Sequence, residues 1–228
     1  MKTATINICA VRSIHFRSDA SYHLSEGQHV QRSIASSPYP LLSIRQVADD
    51  IFIGNRARRV YVKNAKYGIP FLSSSDILKA DLDNVKLASK KYTPDIERMS
   101  LKKGWTLISR SGTIGNCAFA NAKHAQKLAS EDVIRITPND ILRAGYVYAF
   151  LASKYGKKLI QRYIFGSVIQ HVEPPHLKLI PVPIIDKKVM DDIHDKVMVY
   201  SSAMGKAIEY ERKAITMVEQ EIEKWNKH

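Results

Sequence analysis

The chain is short of cysteine, of long apolar runs and of the usual catalytic motifs, and each shortage removes a class of protein. Only Cys9 and Cys117 occur, each among apolar neighbours (INICAV and GNCAFA). That pattern does not predict a disulfide framework, and it fits a reducing compartment. No stretch reaches the ~18 consecutive apolar residues that span a bilayer. Lys2 to Arg12 also lacks the apolar core and small-residue cleavage site of a secretory leader. The expectation is a cytoplasmic protein. No G-x-G-x-x-G loop is present to hold a nucleotide cofactor. Carboxylate nucleases follow Pro-Asp with Glu-x-Lys; Pro94-Asp95 is here, but the one Glu-x-Lys, Glu211-Arg212-Lys213, lies far off in the tail. Glu173-Pro174-Pro175-His176 lacks the polar and aromatic flanks with which amino-methyltransferases hold a flipped base. His171 and His176 have no cysteine or carboxylate cluster beside them to complete a zinc site.

What the chain does have is positive charge, unevenly placed. Lys and Arg number 35 against 22 Asp and Glu, a net charge of +13. Residues 187–228 hold 8 basic and 8 acidic residues, so the remaining 27 and 14 put the whole surplus in residues 1–186. A basic domain beside a charge-balanced tail points to a polyanion partner for the first and a protein partner for the second. With 228 residues and 45% hydrophobic content, the chain can bury one sizeable core and keep a segment in reserve. The expected organisation is a globular domain over 1–186 and a long helix over 187–228.

Residues 1–40 carry His15, His23, His29, scattered serines and the turn-like Ser36-Ser37-Pro38-Tyr39-Pro40, and read as a strand and loops around the domain. Leu41 to Ala48 reads as a short strand or a turn of helix. Ile51-Phe52-Ile53-Gly54 then leads into the basic stretch Asn55-Arg56-Ala57-Arg58-Arg59. Tyr67 to Ile77 reads as a turn, a buried strand and a helix cap at Ser75 or Asp76. Trp105 to Ser109 and Asn116 to Ala120 are apolar runs joined by Arg110-Ser111-Gly112-Thr113-Ile114-Gly115, whose glycines permit a hairpin reversal. The G-x-x-G inside it is read as that turn rather than as a backbone clamp of the RNA-binding KH kind. Asp132 to Thr137 is a further strand. Ala144 to Tyr163 predicts one amphipathic helix, with Lys154, Lys158 and Arg162 at fourfold spacing on a face able to touch phosphate. Pro181 and Pro183 make Leu179 to Ile185 an extended segment outside any central strand.

The tail has glycine only at Gly205 and no proline. Placing Ile208, Ile215 and Ile222 at heptad a puts Val197, Met204, Val218 and Trp225 at d, with Glu211 the one break in the seam. Fully helical, the segment would reach roughly 60 Å at about 1.5 Å per residue. Such a stripe needs a partner surface, with packing back on its own domain as the alternative.

DNA recognition needs cations for phosphates and planar or hydroxyl side chains on loops for base edges. Three groups qualify: Arg56, Arg58, Arg59 and Lys63; Arg110, Ser111 and Thr113 on the hairpin tip; and Ser167, Gln170 and His171 ahead of Glu173. Lys154 and Lys158 add phosphate-facing charge. Arginine can pair with guanine and Gln170 with adenine. Any one group alone is more simply a solvated basic face.

Five strings, in order, carry a resemblance: GIPFLSSSDI (68–77), LISRSGTIG (107–115), SEDVIRI (130–136), GYVYAFL (145–151) and GSVIQHV (166–172) leading to Leu177 and Ile180-Pro181-Val182-Pro183. Over roughly residues 40–185 the chain resembles the target recognition domain of a type I restriction-modification specificity subunit. The resemblance implies an α+β fold: a mixed α/β target recognition domain with a β-rich core, followed by a long C-terminal helix of coiled-coil type. It implies double-stranded DNA as ligand, no catalytic site and no cofactor of its own, with S-adenosylmethionine held by a partner modification (methyltransferase) subunit and a restriction subunit completing the assembly. Such subunits carry two recognition domains and two helices. Only one of each is present here, which implies either a half-subunit forming a homodimer through Val197, Met204, Ile208, Ile215, Val218, Ile222 and Trp225, or a fragment. The alternatives are the recognition part of a fused methyltransferase and a non-catalytic basic RNA- or DNA-binding interaction protein.

Overall fold

A computed structural model describes residue 17 and residues 19–225; Cys9, His15 and the strand expected near the N-terminus lie outside the described residues. The helices are α1 (Ala20–His23), α2 (Glu26–Ala35), α3 (Ile44–Val47), α4 (Ile96–Met99), α5 (Ala144–Ala152), α6 (Lys154–Arg162), α7 (Pro174–Leu177) and α8 (Lys187–Trp225). Ten short strands run β1 (Leu41–Ser43), β2 (Ala48–Ile53), β3 (Tyr61–Val62), β4 (Gly68–Leu72), β5 (Leu87–Ser89), β6 (Thr106–Ser109), β7 (Cys117–Phe119), β8 (Leu128–Ala129), β9 (Val133–Pro138) and β10 (Pro181–Pro183). They form an antiparallel sheet in the order β2-β9-β6-β7, a mixed sheet in the order β3-β5-β4-β8, and the ribbon β1-β10. The fold is therefore α+β with a long C-terminal helix.

Strand β9 is the centre of the molecule. Its alternation sends Ile134 and Ile136 into the main core, with Ile44, Val47, Leu151, Leu159 and Ile160. Val133 points the other way, into a second core with Leu72, Leu101 and Leu107. Arg135 shares that second face and is fully buried. Its guanidinium donates to the carbonyls of Ser130 (2.9 Å), Val133 (2.6 Å), Met99 (3.2 Å) and Ala129 (2.5 Å). Burial pulls its pKa down to about 10, which still leaves it charged at neutral pH. Since Ala129 belongs to β8, this side chain ties the two larger sheets together.

Three expectations need correction. Residues 20–35 are helical where loops were expected, because Asp19 and Ser25 accept from the backbone N–H of Tyr22 and Gln28 and so cap α1 and α2. The single helix expected over 144–163 is two. Ser153 adopts an extended conformation, ends α5 and caps α6 by accepting from Gly156 N–H. At Gly156 a Cβ would lie 2.2 Å from the Phe150 carbonyl oxygen, so the chain folds back there at glycine contact distance. Third, the apolar stripe of the tail is divided. Met190, Val197, Ser201 and Ile208 of α8 are buried against the chain's own domain, whereas Ile215, Val218, Ile222 and Trp225 are exposed.

The docked half of α8 crosses α5 at Gly145. A Cβ there would meet His194 at 2.8 Å, and the Gly145 N–H donates to His194 Nδ1 at 3.1 Å. Further out, Arg212 pairs with Asp81 and Asp83, the last tie between helix and domain among the described residues. Beyond it about 13 residues, or roughly 20 Å of helix, stand clear. Among the described residues no helix is long and apolar enough to cross a membrane.

Candidate nucleic-acid interface

Two loops form the site. The first is the β6-β7 turn, with Gly112 at φ +68° and Gly115 at φ +85°. These are left-handed values that suit glycine at low cost. The turn is pinned from within: Ser109 Oγ donates to the Ser111 carbonyl (2.9 Å) and lies 3.1 Å from Thr113 Oγ1. It is also pinned from outside, since Gln161 donates to the Ile114 carbonyl at 3.3 Å. The second loop spans 166–170 and is closed by paired Phe165 and His171 backbones (3.1 and 2.9 Å). His171 Nδ1 contacts the Ile169 carbonyl at 2.9 Å, and the Phe165 and His171 rings meet at 4.3 Å. Gly166, at φ +102°, leaves no room for a Cβ beside Ile169. At this loop's tip Val168 is 92% exposed.

A bridge between Ser111 and His171 joins the two loops. Two of the three groups read from sequence are therefore neighbours, although 60 residues separate them along the chain. Arg59 carries the connection further by pairing with Glu131, next to Asp132, which pairs with Arg110. The site is thus a continuous edge. It runs from the basic loop 55–63, past Glu131 and Asp132, to the hairpin turn and loop 166–170.

The side chains on this edge differ from one another in ways the sequence conceals. Arg56, Arg58 and Lys63 are exposed and have no ion pair among the described residues. Thr113, Ser167 and Gln170 are exposed, with Ser111 and His171 half-buried beside them. Arg59 is committed to Glu131 and lies 5.2 Å over the Phe71 ring. Arg110 is a correction: it is not a tip residue but 4% exposed, held by Glu173 and by Asp132 at 3.4 Å. A guanidinium so enclosed cannot reach a base edge; it locks the hairpin to the segment that begins α7.

The basic face expected on α6 is corrected as well. Lys154 is exposed and lies 5.1 Å from the Tyr155 ring, but Lys158 is paired with Glu26 of α2. Arg162 turns inward, 6% exposed. The cause is close packing of α2 on α6, where a Cβ on Gly27 would lie 2.4 Å from the Lys158 carbonyl oxygen.

Sequence reasoning missed Val168 and Ile169, apolar residues at an exposed loop tip, and the carboxylates Glu131, Asp132 and Glu173 that organise the arginines. Exposure of the first pair was readable from their flanking glycine and polar residues. The carboxylate partners were not, since nothing local marks them. Among the described residues no group of three or more His, Cys, Asp or Glu is placed to hold a metal ion.

The profile of the family described as type I restriction modification DNA specificity domain matches residues 48–197. The chain belongs to this family. The match takes in the basic loop, the hairpin turn and loop 166–170. Curated protein sequences give no match. Among solved structures the fold is similar to the HsdS subunit from Thermoanaerobacter tengcongensis, at TM-score 0.52 and 14% identity, over 88% of this chain and 49% of that one. It is also similar to a chain from a study of complex assembly and conformational transition of the type I R-M system, at TM-score 0.51 and 15% identity, over 91% of this chain and 53% of that one. At these identities the likeness is one of fold. The chain spans about half the length of each.

Proposed function

We propose that this chain reads DNA sequence for a type I restriction-modification system and directs modification and restriction subunits to the site. On this reading it performs no covalent chemistry and holds no cofactor; S-adenosylmethionine binds the modification subunit, and the assembly works in the cytoplasm. The observation that carries the reading is the family match over 48–197, within which two pinned loops stand side by side. Rigid loops bearing hydroxyl, amide and apolar groups suit base readout, because a pre-positioned donor loses little entropy on binding. Arg56, Arg58, Lys63 and Lys154 supply phosphate contacts, Ser111, Thr113 and His171 the contacts to bases, and Ser167 and Gln170 further contacts to the backbone.

The test is selection from a random duplex library by the purified chain at moderate salt, followed by affinities for the winners and for scrambled controls. The expected result is an enriched motif bound at least about 1000-fold more tightly than scrambled DNA. Equal binding to all duplexes, with steep salt dependence, would overturn it in favour of a general polyanion binder.

The exposed end of α8 is the proposed docking surface for a second copy, through Ile215, Val218, Ile222 and Trp225. An unpartnered heptad stripe on a charge-balanced helix supports it. A dimer of this kind would read a palindromic, split site. Sedimentation of the wild type and of Ile215→Asp/Ile222→Asp decides: a dimer that the substitutions dissociate supports the reading, and a wild-type monomer refutes it.

A further inference from the structure

Among the described residues three arginines are buried, each with a partnerless Nε, and in two of them both Nη groups are engaged. Arg110 has Asp132 and Glu173; Arg135 has four backbone carbonyls. Arg162 is 6% exposed, yet it makes no hydrogen bond or ion pair with any described residue, and its Nε and Nη1 are buried without a partner. Its charge rests on the Tyr22 ring, 4.0 Å from the guanidinium carbon, and on the C-terminal end of α6, where a cation is favoured. The carboxylate that shares its groove is taken: Asp19 accepts two hydrogen bonds from Arg17 (2.8 and 2.7 Å). Arg17 in turn donates to the Tyr163 and Ile164 carbonyls at 3.2 and 3.0 Å. A buried guanidinium left short of acceptors is costly, and Nη2, which is not among the enclosed atoms, is the group left to take an external one.

The place for that acceptor is present. Arg162 lines an open groove of about 590 Å³ together with Arg17 and Asp19, which pair with each other, and with Gln161, Ser167 and Gln170. One wall is loop 166–170, where no backbone N–H donates to a described backbone carbonyl. Guanidinium, hydroxyl and amide groups around one space, with the Asp19 carboxylate neutralised by Arg17, are the donor set of an oxyanion site. We propose that this groove seats a phosphate of the DNA backbone, with Arg162 as its cation and Ser167 and Gln170 at its rim. The seat rests on the DNA-recognition reading and adds to it a fixed register. A phosphate held there sets loop 166–170 against the adjoining groove of the duplex, so that Val168 and Ile169 meet base edges rather than solvent.

The experiment is the salt dependence of DNA affinity for the wild type, Arg162→Gln and Ser167→Asp, each measured on several duplexes between about 50 and about 200 mM salt. Ser167 is exposed, so its replacement tests the seat even where Arg162→Gln fails to fold, and the added carboxylate repels phosphate. Thermal melting establishes which variants are folded. The expected result in folded variants is a loss of affinity on the order of tenfold on every duplex, an unchanged ranking of duplexes, and a slope of log K against log salt shallower by about 0.9. Folded variants with the wild-type slope overturn the seat. A wild type that binds all duplexes alike overturns sequence recognition instead, and the slope comparison then still decides the seat on non-specific DNA.

Discussion

Arg110 separates two ways of reading the same residue. From its place on a hairpin with Ser111 and Thr113 it is a base reader; from its surroundings it is a structural tie. Replacing it with methionine keeps the stem and removes the charge. Breaking a buried ion pair by deleting one partner costs about 3–5 kcal/mol. Asp132 and Glu173 keep 34% and 29% of their side-chain surface, so both carboxylates recover part of their hydration and the expected loss falls to about 2–3 kcal/mol. For a chain of this size each kcal/mol lowers the melting temperature by about 2–4 °C, which gives a fall of about 4–12 °C by calorimetry. A double-mutant cycle with Glu173→Gln should show coupling of about 0.5–3 kcal/mol. DNA affinity should weaken for all sequences together, because the hairpin loses its tie to the segment entering α7. An Arg110→Met protein that melts within about 1 °C of wild type and loses only its preference among bases would refute the burial argument outright.

Other consequences follow from the same packing. Gly145→Ala puts a Cβ 2.8 Å from His194 Nδ1 and 3.0 Å from its Cα; overpacking of backbone should cost about 1–3 kcal/mol, seen as a lower melting temperature with faster hydrogen exchange in α8. Cys117 is half-buried and desolvation pushes its thiol up to about 12, so in a Cys9→Ser background it should react with thiol reagents at pH 8 markedly more slowly than after unfolding. Burial works to raise the Asp83 pKa, but the Arg212 hydrogen bond and the Lys127 charge outweigh it and hold it below the ordinary value. A depressed carboxylate contributes above its unfolded pKa and is lost as pH falls through the folded one. The tie to α8 should therefore be insensitive to pH from neutrality down to about 4 and fail below. Hydrogen exchange around Arg212 checks it, with Asp83→Asn expected to reproduce the acid effect at neutral pH.

The parts of the fold legible in the sequence are those whose cause is local. Val133 to Thr137 alternates β-branched residues and is β9; Gly112 and Gly115 supply the left-handed turn; a tail nearly free of glycine and proline is one helix of 39 residues. Local causes were also present where the reading failed, since Asp19, Ser25 and Ser153 are N-caps of a recognised kind. Scattered histidines and serines hid the first two, and a continuous apolar face hid the third. The arginines are a different matter. Arg110, Arg135 and Arg162 look like Arg56 and Arg58 in sequence, and only contacts made across the fold tell them apart. Arg110 and Glu173 lie 63 residues apart. Charge surplus predicted a basic domain correctly as composition, but Arg110 and Arg135 spend their charge on partners inside the domain.

The same division governs the long helix. Heptad spacing identified one seam, and the structure divides it into a buried half and an exposed half. As far as Ile208 the domain takes it, through the glycine crossing at Gly145 and the tie at Arg212. Beyond Ile208 nothing among the described residues covers it. A helix held so firmly at its base cannot choose its direction freely, so whatever docks on Ile215, Val218 and Ile222 is fixed in angle and distance relative to loop 166–170. The rigidity that withdraws Val197 and Ile208 from any partner is thus what would let the free end act as a spacer in the proposed dimer. In the proposed dimer, loosening Gly145 or Arg212 should blur the spacing between the two recognition domains before it weakens either domain's hold on its own half of the site. Affinities for paired half-sites set one to several base pairs apart would show this as a broadened optimum; an optimum that stays as narrow as the wild type's would mean that the partner, not this domain, sets the helix direction.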